Sequence, residues 1–201
     1  MSFAFPTGKY PPLVVDMATS ASSAGKINDY LKRGEGIPQG WAVDRQGNPT
    51  TDPDRQGNPT TDPQMAREGF LLPMAGHKGY GLGLVVDLLT GALTGFFCGK
   101  EVPPLEDLTT PYGASFFMFV LDPGCFAGTE TFKGKVDRLI DDCVTCPPMK
   151  GFQRVYFPGE LEAMEEEERS KKGIPVHEEE LARFFQALRE VGVEVEEAAL
   201  D

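Results

Sequence analysis

Residues 71–95, LLPMAGHKGYGLGLVVDLLTGALTG, decide the fold because they join a glycine-flanked His-Lys pair to a long apolar segment. From Leu82 onward the apolar residues cover almost every angle of a helix, which predicts a helix buried on all sides. A glycine inside a helix costs about 1 kcal/mol relative to Ala, so the glycines here indicate the close approach of a backbone or a ligand. Lys78 and the free N–H groups at the start of this helix favour an anion, such as a cofactor phosphate.

Tight helix packing alone is the other explanation of these glycines, and a lone histidine such as His77 is more often structural than catalytic. The dinucleotide fingerprint of the Rossmann fold is absent, since Gly79, Gly81 and Gly83 have the wrong spacing. The residues before them also do not form a strand pattern. The 71–95 stretch therefore indicates an anion site only if other parts of the chain support it.

The composition is that of a globular protein with a strong negative charge. With 201 residues, 40% of them hydrophobic, the chain is long enough for one substantial core, or for one core with a smaller appendage. The formal charge of -12 argues against a nucleic-acid partner but allows a nucleotide cofactor, which requires only local cations. No apolar run has the length of a membrane span and no leader pattern is present, so we expect a cytoplasmic protein without membrane contact.

The four cysteines do not form a disulfide framework of the secreted type. Only Cys143 and Cys146 are close in sequence, and they lack the second pair that a zinc site requires. Pro147 and Pro148 follow at once, which disfavours a helix whose N-terminus would acidify a redox thiol. We therefore expect reduced, largely structural thiols and no metal.

Strand and helix patterns alternate along the chain, which indicates an α/β fold. Residues 13–15 predict a short buried strand, and residues 22–33 predict an amphipathic helix with serines in front and Gly34 behind. The turn at 16–20 lies between them, where α/β proteins commonly hold ligands, although an ordinary capping turn is the alternative. Further patterns predict buried strands at 114–121 and 155–157, and helices at 133–143, 160–172 and 178–190.

A perfect tandem repeat, DRQGNPTTDP, occupies residues 44–53 and 54–63. Two copies are too few and too short for a solenoid, so the repeat indicates a local duplication within a loop. Lengthening a loop costs about 0.6 kcal/mol for each doubling of its length. We therefore expect the fold to tolerate the second copy.

Three segments together resemble one known family. They are Asp16-Met17-Ala18-Thr19-Ser20, Gly40-Trp41-Ala42 with the Gly-Asn-Pro-Thr-Thr-Asp-Pro loop, and Leu72-Pro73 with Gly76-His77-Lys78-Gly79-Tyr80-Gly81-Leu82. In their order, residue identity and spacing, they resemble the malate/L-lactate dehydrogenase family. This family uses NAD(P) without a Rossmann fold and includes ureidoglycolate and sulfolactate dehydrogenases. The resemblance extends from about residue 3 to the last helix and includes Phe157-Pro158-Gly159-Glu160.

The resemblance implies a three-layer α/β fold with a mixed, twisted sheet, incomplete at its N-terminus and followed by a helical C-terminal tail. It divides the chain into a cofactor-binding region, residues 1–157, and C-terminal helices, residues 158–201. It also implies a homodimeric oxidoreductase that transfers a hydride between NAD or NADP and a small 2-hydroxy or 2-oxo acid. The positions that match the family's cofactor contacts are Asp16, Met17, Ala18, Lys78, Gly159, Glu160 and Leu161.

Two departures from the family concern its activity. The family's catalytic histidine lies in an N-terminal region that this chain does not have, and neither His77 nor His177 matches it. No catalytic residue is therefore assigned, and His77 is only a weak substitute as a proton donor. The alternative to an active dehydrogenase is a catalytically inactive remnant that binds cofactor or dimerises. In addition, the family has one copy of the loop that this chain carries twice.

Overall fold

The computed structural model describes residues 1–44, 62–103, 107, 109–111, 113–176 and 178–193. The chain forms two compact units. The first consists of Met1–Ala4 with Val15–Phe132, and the second of Phe5–Val14 with Lys133–Asp201. The functional division after residue 157 is a different boundary, and it stays a prediction.

Short strands and longer helices make up the described residues. Strand β1 (Ser2–Phe5) pairs with β2 (Leu13–Asp16), and β3 (Ala42–Val43) pairs antiparallel with β4 (Phe70–Leu71). Two two-stranded sheets are the whole strand content of the described ranges, so the mixed three-layer sheet stays a prediction. The helices are α1 (Ala24–Arg33), α2 (Pro63–Glu68), α3 (His77–Thr90), α4 (Thr129–Val144), α5 (Glu160–Lys172) and α6 (Glu178–Glu190).

Capping residues confirm several of the predicted helices. The Ser23 hydroxyl accepts a hydrogen bond from the Lys26 N–H at 3.2 Å, and Gly34 ends α1, as the sequence indicates. Helices α5 and α6 begin and end at the predicted residues. Helix α4 is longer than the predicted 133–143, because it begins at Thr129.

The core of the first unit lies between α1, α2 and β3. Ile27 is only 2% exposed and packs with Ile37, Ala42 and Ala66. The Trp41 ring packs against this cluster. The core therefore depends on residues from both sides of the duplicated loop.

Helix α3 is not buried, contrary to the prediction from its apolar sequence. Gly79 is its one buried residue, and the side chains of Tyr80, Leu82, Leu84, Val85 and Leu88 are exposed. A helix that is apolar all round is buried only where other elements cover every side. The described part of the first unit leaves these side chains in contact with solvent.

Residues 114–121 also differ from their prediction as a buried strand. They have no strand pairing within the described ranges, and Phe116 and Met118 are 87% and 85% exposed. An apolar sequence favours a strand, but a strand also requires a neighbouring backbone to pair its N–H and carbonyl groups. Residues 155–157 likewise form no strand, although Phe157 is buried.

Side chains of α4 hold the loop before β2 in the second unit. Asp137 accepts hydrogen bonds from the N–H groups of Gly8 and Lys9, at 3.0 and 3.2 Å. Asp141 accepts from the Lys9 ammonium at 2.8 Å and from the Tyr10 hydroxyl, and these bonds hold the pKa of Asp141 below its usual range. The Tyr10 ring meets the Phe157 ring edge-on at 5.5 Å, which links this loop to the residues before α5.

Most of the duplicated loop lies outside the described residues, but both of its ends are described. Asp44, directly after β3, is buried. At the other end, the Asp62 carboxylate accepts a hydrogen bond from the Gln64 N–H at 2.8 Å, and Pro63 occupies the first turn of α2. This arrangement is a typical helix start.

Removal of residues 54–63 is expected to keep both ends of the loop intact, because Asp52-Pro53 then precedes Gln64 in place of Asp62-Pro63. Shortening the 45–61 connection by ten residues should raise the free energy of unfolding by about 0.8 kcal/mol, through a lower loop-closure entropy. Urea unfolding followed by Trp41 fluorescence measures this change. A loss of more than about 2 kcal/mol would show instead that the second copy stabilises the fold.

Candidate cofactor site

The turn at residues 16–20 lies beside the residues that lead into α3. The Met74 N–H donates a hydrogen bond to the Thr19 carbonyl at 2.9 Å, and Ser20 forms an antiparallel bridge with Pro73. The first unit therefore brings together two segments that are distant in sequence and that both belong to the predicted site.

The start of α3 has the features of an anion-binding helix terminus. No side chain caps the helix within the described residues, and its N-cap, Gly76, has a φ of 61°. Ala75 also has a positive φ, of 49°, a conformation that costs a residue with a side chain about 1 kcal/mol or more. His77 and Lys78 are exposed in the first turn, and Lys78 has no ion pair with any described residue. Both the helix terminus and the Lys78 ammonium favour negative charge here.

Close packing explains Gly79, but neither Gly81 nor Gly83, among the glycines of α3. A Cβ added at Gly79 would lie 2.9 Å from the Met74 nitrogen and closer still to the Met74 carbonyl oxygen. A Cβ added at Gly83 would lie 3.4 Å from the Thr19 hydroxyl oxygen, whereas one at Gly81 would meet no atom within 4 Å. The approach of another backbone is therefore the correct explanation of Gly79, and these glycines do not by themselves indicate a ligand.

The predicted residues Asp16, Met17 and Ala18 are exposed at the end of β2. The Met17 N–H donates to the Met1 carbonyl at 3.1 Å, and the Met17 carbonyl accepts from the Met1 terminal amine at 2.9 Å. Because the N–H and the carbonyl of Met17 both form hydrogen bonds with Met1, the exposed side chain is the part of Met17 that can contact a ligand.

The other predicted residues lie in the second unit, at the start of α5. Gly159 has a φ of 92°, and a Cβ there would lie 2.9 Å from the Val14 nitrogen, so only glycine fits. The Val14 N–H donates to the Pro158 carbonyl at 3.0 Å. These contacts fix the turn before α5 against β2, while Leu161 is exposed.

The Glu160 carboxylate points back into its own turn. One carboxylate oxygen contacts the Arg154 guanidinium, and the other accepts a hydrogen bond from the Phe157 N–H at 3.3 Å. Arg154 could not be predicted from the sequence, because a partner six residues away across a turn has no periodic signal. The structure thus describes Asp16, Met17, Ala18 and Lys78 in one unit, and Gly159, Glu160 and Leu161 in the other.

The described residues provide no assigned catalytic group. His77 is exposed at the start of α3, and His177 lies outside the described residues. Cys143 and Cys146 are free and exposed near the end of α4. Within the described ranges no three His, Cys, Asp or Glu side chains are grouped so that they could hold a metal ion. No described helix is both long and apolar enough to cross a membrane.

The known proteins that this chain resembles are dehydrogenases. The structure of sulfolactate dehydrogenase from Methanocaldococcus jannaschii matches with a TM-score of 0.74 and 33% identity, over 96% of this chain and 52% of that one. Malate dehydrogenase from Pyrococcus horikoshii is 35% identical over 96% of this chain and 52% of its own length. Ureidoglycolate dehydrogenase (NAD(+)) from Escherichia coli is 32% identical, over 88% of this chain and 47% of its own length.

A family model described as malate/L-lactate dehydrogenase matches residues 1–56 and 54–184. The chain belongs to the malate/L-lactate dehydrogenase family, which confirms the resemblance found in the sequence. It spans about half the length of the curated relatives that it matches. The two matched ranges overlap at residues 54–56, which are the first residues of the second repeat copy.

Proposed function

We propose that this chain is part of an oxidoreductase that transfers a hydride between NAD or NADP and a small 2-hydroxy or 2-oxo acid. The observation that carries the proposal is the hydrogen bond between Thr19 and Met74, which joins the 16–20 turn to the residues before α3. Both segments resemble the family's cofactor contacts. The names of the relatives, malate dehydrogenase and ureidoglycolate dehydrogenase (NAD(+)), support the same reaction class.

Lys78 is the proposed phosphate contact of the dinucleotide, together with the N–H groups in the first turn of α3. Its exposed ammonium and the uncapped helix start fit an anion. Asp16, Met17 and Ala18 are further proposed contacts of the first unit, and Gly159, Glu160 and Leu161 those of the second. When bound, the dinucleotide supplies or accepts the hydride. The reaction also needs a proton donor near the substrate oxygen, for which the described residues offer no assigned group.

The family resemblance also implies an oligomeric state, a cellular location and a sheet architecture. We propose a homodimer in the cytoplasm, with the three-layer mixed sheet and without a Rossmann fold. The apolar residues exposed on α3 and at 116–121 support an association of this kind, because large exposed apolar patches mark interaction surfaces.

A catalytically inactive module that binds cofactor or dimerises is the second candidate function. The same exposed apolar residues favour it, because no described element covers them. The chain also spans about half the length of its relatives. Both candidates share the proposed cofactor contacts and differ in turnover.

Turnover distinguishes the two candidates. An active dehydrogenase is expected to consume NADH only when oxaloacetate, pyruvate or a related 2-oxo acid is present, which absorbance of NADH follows directly. The Lys78→Ala variant should lose this activity, whereas Lys100→Ala, which removes another exposed lysine of the first unit, should retain it. Binding of NADH without turnover would support the inactive module. Aggregation of the chain without NADH binding would contradict both candidates.

A further inference from the structure

We propose that Arg154 is a positioning residue of the cofactor site. It holds the Glu160 carboxylate, and through it the turn at residues 157–160. The inference rests on the proposed function, because Glu160 is one of the proposed cofactor contacts. It assigns a role to a residue that neither the sequence pattern nor the family resemblance indicates.

The Glu160 side chain is held at both of its oxygens. Oε1 contacts Nη2 of Arg154, and Oε2 accepts the Phe157 N–H at 3.3 Å. The Glu160 N–H in turn donates to the Phe157 carbonyl at 3.1 Å, so the side chain and the backbone close the same turn. The carboxylate side chain is only 15% exposed. A carboxylate that is withdrawn from water in this way requires a charged partner, and Arg154 is that partner.

A second contact, with the Tyr156 ring, orients the Arg154 side chain independently of Glu160. Its guanidinium carbon lies 4.4 Å from the centroid of the Tyr156 ring, a cation–π geometry. The flat guanidinium stacks on an aromatic ring in a way that an ammonium does not, which limits the rotamers left to Arg154. The rest of the turn is already fixed by Gly159 against Val14. The Glu160 carboxylate is therefore the part of the turn that depends on Arg154.

Neutralisation of Glu160 gives Arg154 a second effect at the proposed site. A dinucleotide brings phosphate groups, and an unpaired carboxylate at the start of α5 would repel them. With Arg154 paired to Glu160, Glu162 is the carboxylate of the first turn of α5 that still opposes the favourable helix dipole. Arg154 thus acts on the cofactor through Glu160.

The other ion pairs of α5 are of a different kind. Arg169 pairs with Glu165 at 2.9 Å, one turn along the exposed surface of the helix, and both side chains are at least half exposed. Such surface pairs contribute little to stability or binding. Arg169 is therefore the matched control for Arg154: the same residue type, paired to a glutamate of the same helix, and away from the turn.

The test is calorimetric titration of NADH into the wild-type chain and its variants. Arg154→Met is expected to raise the dissociation constant about fivefold, because part of the binding energy would then be spent on ordering the Glu160 carboxylate and its turn. Arg154→Lys should recover part of the affinity, because it keeps the charge but not the stacking on Tyr156. Arg169→Met should bind NADH as the wild type does. Circular dichroism of each variant shows that it is folded.

A double-mutant cycle separates positioning from a general loss of stability. If Arg154 acts through Glu160, then Arg154→Met should have less than a twofold effect in a Glu160→Gln background, because the two changes affect one interaction. Fully additive effects, or equal weakening by Arg154→Met and Arg169→Met, would contradict the inference. Wild-type affinity in Arg154→Met would overturn it while the proposed function stands. If the wild-type chain binds no NADH, the proposed function fails first and the inference fails with it.

Discussion

Replacement of Gly79 with Ala is expected to lower the free energy of unfolding of the first unit by about 3 kcal/mol. The added Cβ would overlap the backbone of Met74, with the Met74 nitrogen at 2.9 Å. A flexible side chain can relieve such a clash by rotating about its own bonds, but a backbone atom cannot. The segment before α3 would therefore have to move. That movement would also weaken the hydrogen bond from the Gly79 N–H to the Met74 carbonyl, now 3.0 Å long.

Gly81→Ala is the matched control, because a Cβ at Gly81 would meet no atom within 4 Å. The same substitution there should raise the free energy of unfolding by about 1 kcal/mol, from the better helix propensity of Ala. The two variants should therefore differ in melting temperature by about 10 °C, at roughly 2 to 4 °C for each kcal/mol. Thermal unfolding monitored by Trp41 fluorescence measures both. Similar melting temperatures would show that Gly79 is not packed against Met74.

Local elements of the fold could be predicted from the sequence because their signals are local. Ser23 and Gly34 define α1 through groups within one helical turn, and the ends of α5 and α6 are marked by glycines close by. Each of these signals acts through backbone hydrogen bonds that do not depend on the rest of the fold. The helix bounds predicted from the sequence are therefore close to those in the structure.

Burial and strand pairing could not be predicted in the same way. The apolar residues of α3 and of 114–121 correctly indicate surfaces that favour burial, but burial depends on which other elements are present to cover them. The described residues leave Phe116 and Met118 almost fully exposed. A strand pattern predicts a tendency, and the pairing partner decides whether the strand forms.

The candidate site was only partly predictable. The motif residues identified the family and the segments on either side of the Thr19–Met74 hydrogen bond, because a motif is recognised from its residue types and their spacing. No sequence motif signals the positive φ of Ala75 or the contact between Arg154 and Glu160. They depend on how turns bring non-adjacent atoms together, which single-sequence patterns do not report.

The second large effect is expected for Lys78→Ala, which should weaken NADH binding about tenfold or more. A charge-assisted hydrogen bond to a phosphate is worth about 1.5 to 3 kcal/mol, and the uncapped start of α3 alone supplies only part of the attraction. The fold should be unaffected, because Lys78 is exposed and has no ion pair with a described residue. Melting temperatures of Lys78→Ala and the wild type are expected to agree.

His77→Ala and Lys100→Ala are the controls for this substitution. His77 is the exposed neighbour of Lys78 in the same turn, so its removal tests whether any change at the start of α3 disturbs binding. Lys100→Ala removes the same charge elsewhere in the first unit, which tests for a general electrostatic effect on an anionic ligand. Each control should change the affinity less than twofold.

The most direct test of the central claim is calorimetric titration of NADH into the wild-type chain and Lys78→Ala, side by side at the same ionic strength. We propose that the first turn of α3 binds the dinucleotide. This proposal predicts saturable binding by the wild-type chain and a dissociation constant at least about tenfold higher for Lys78→Ala. Equal affinity in the two proteins, or no binding by a folded wild-type chain, would contradict it.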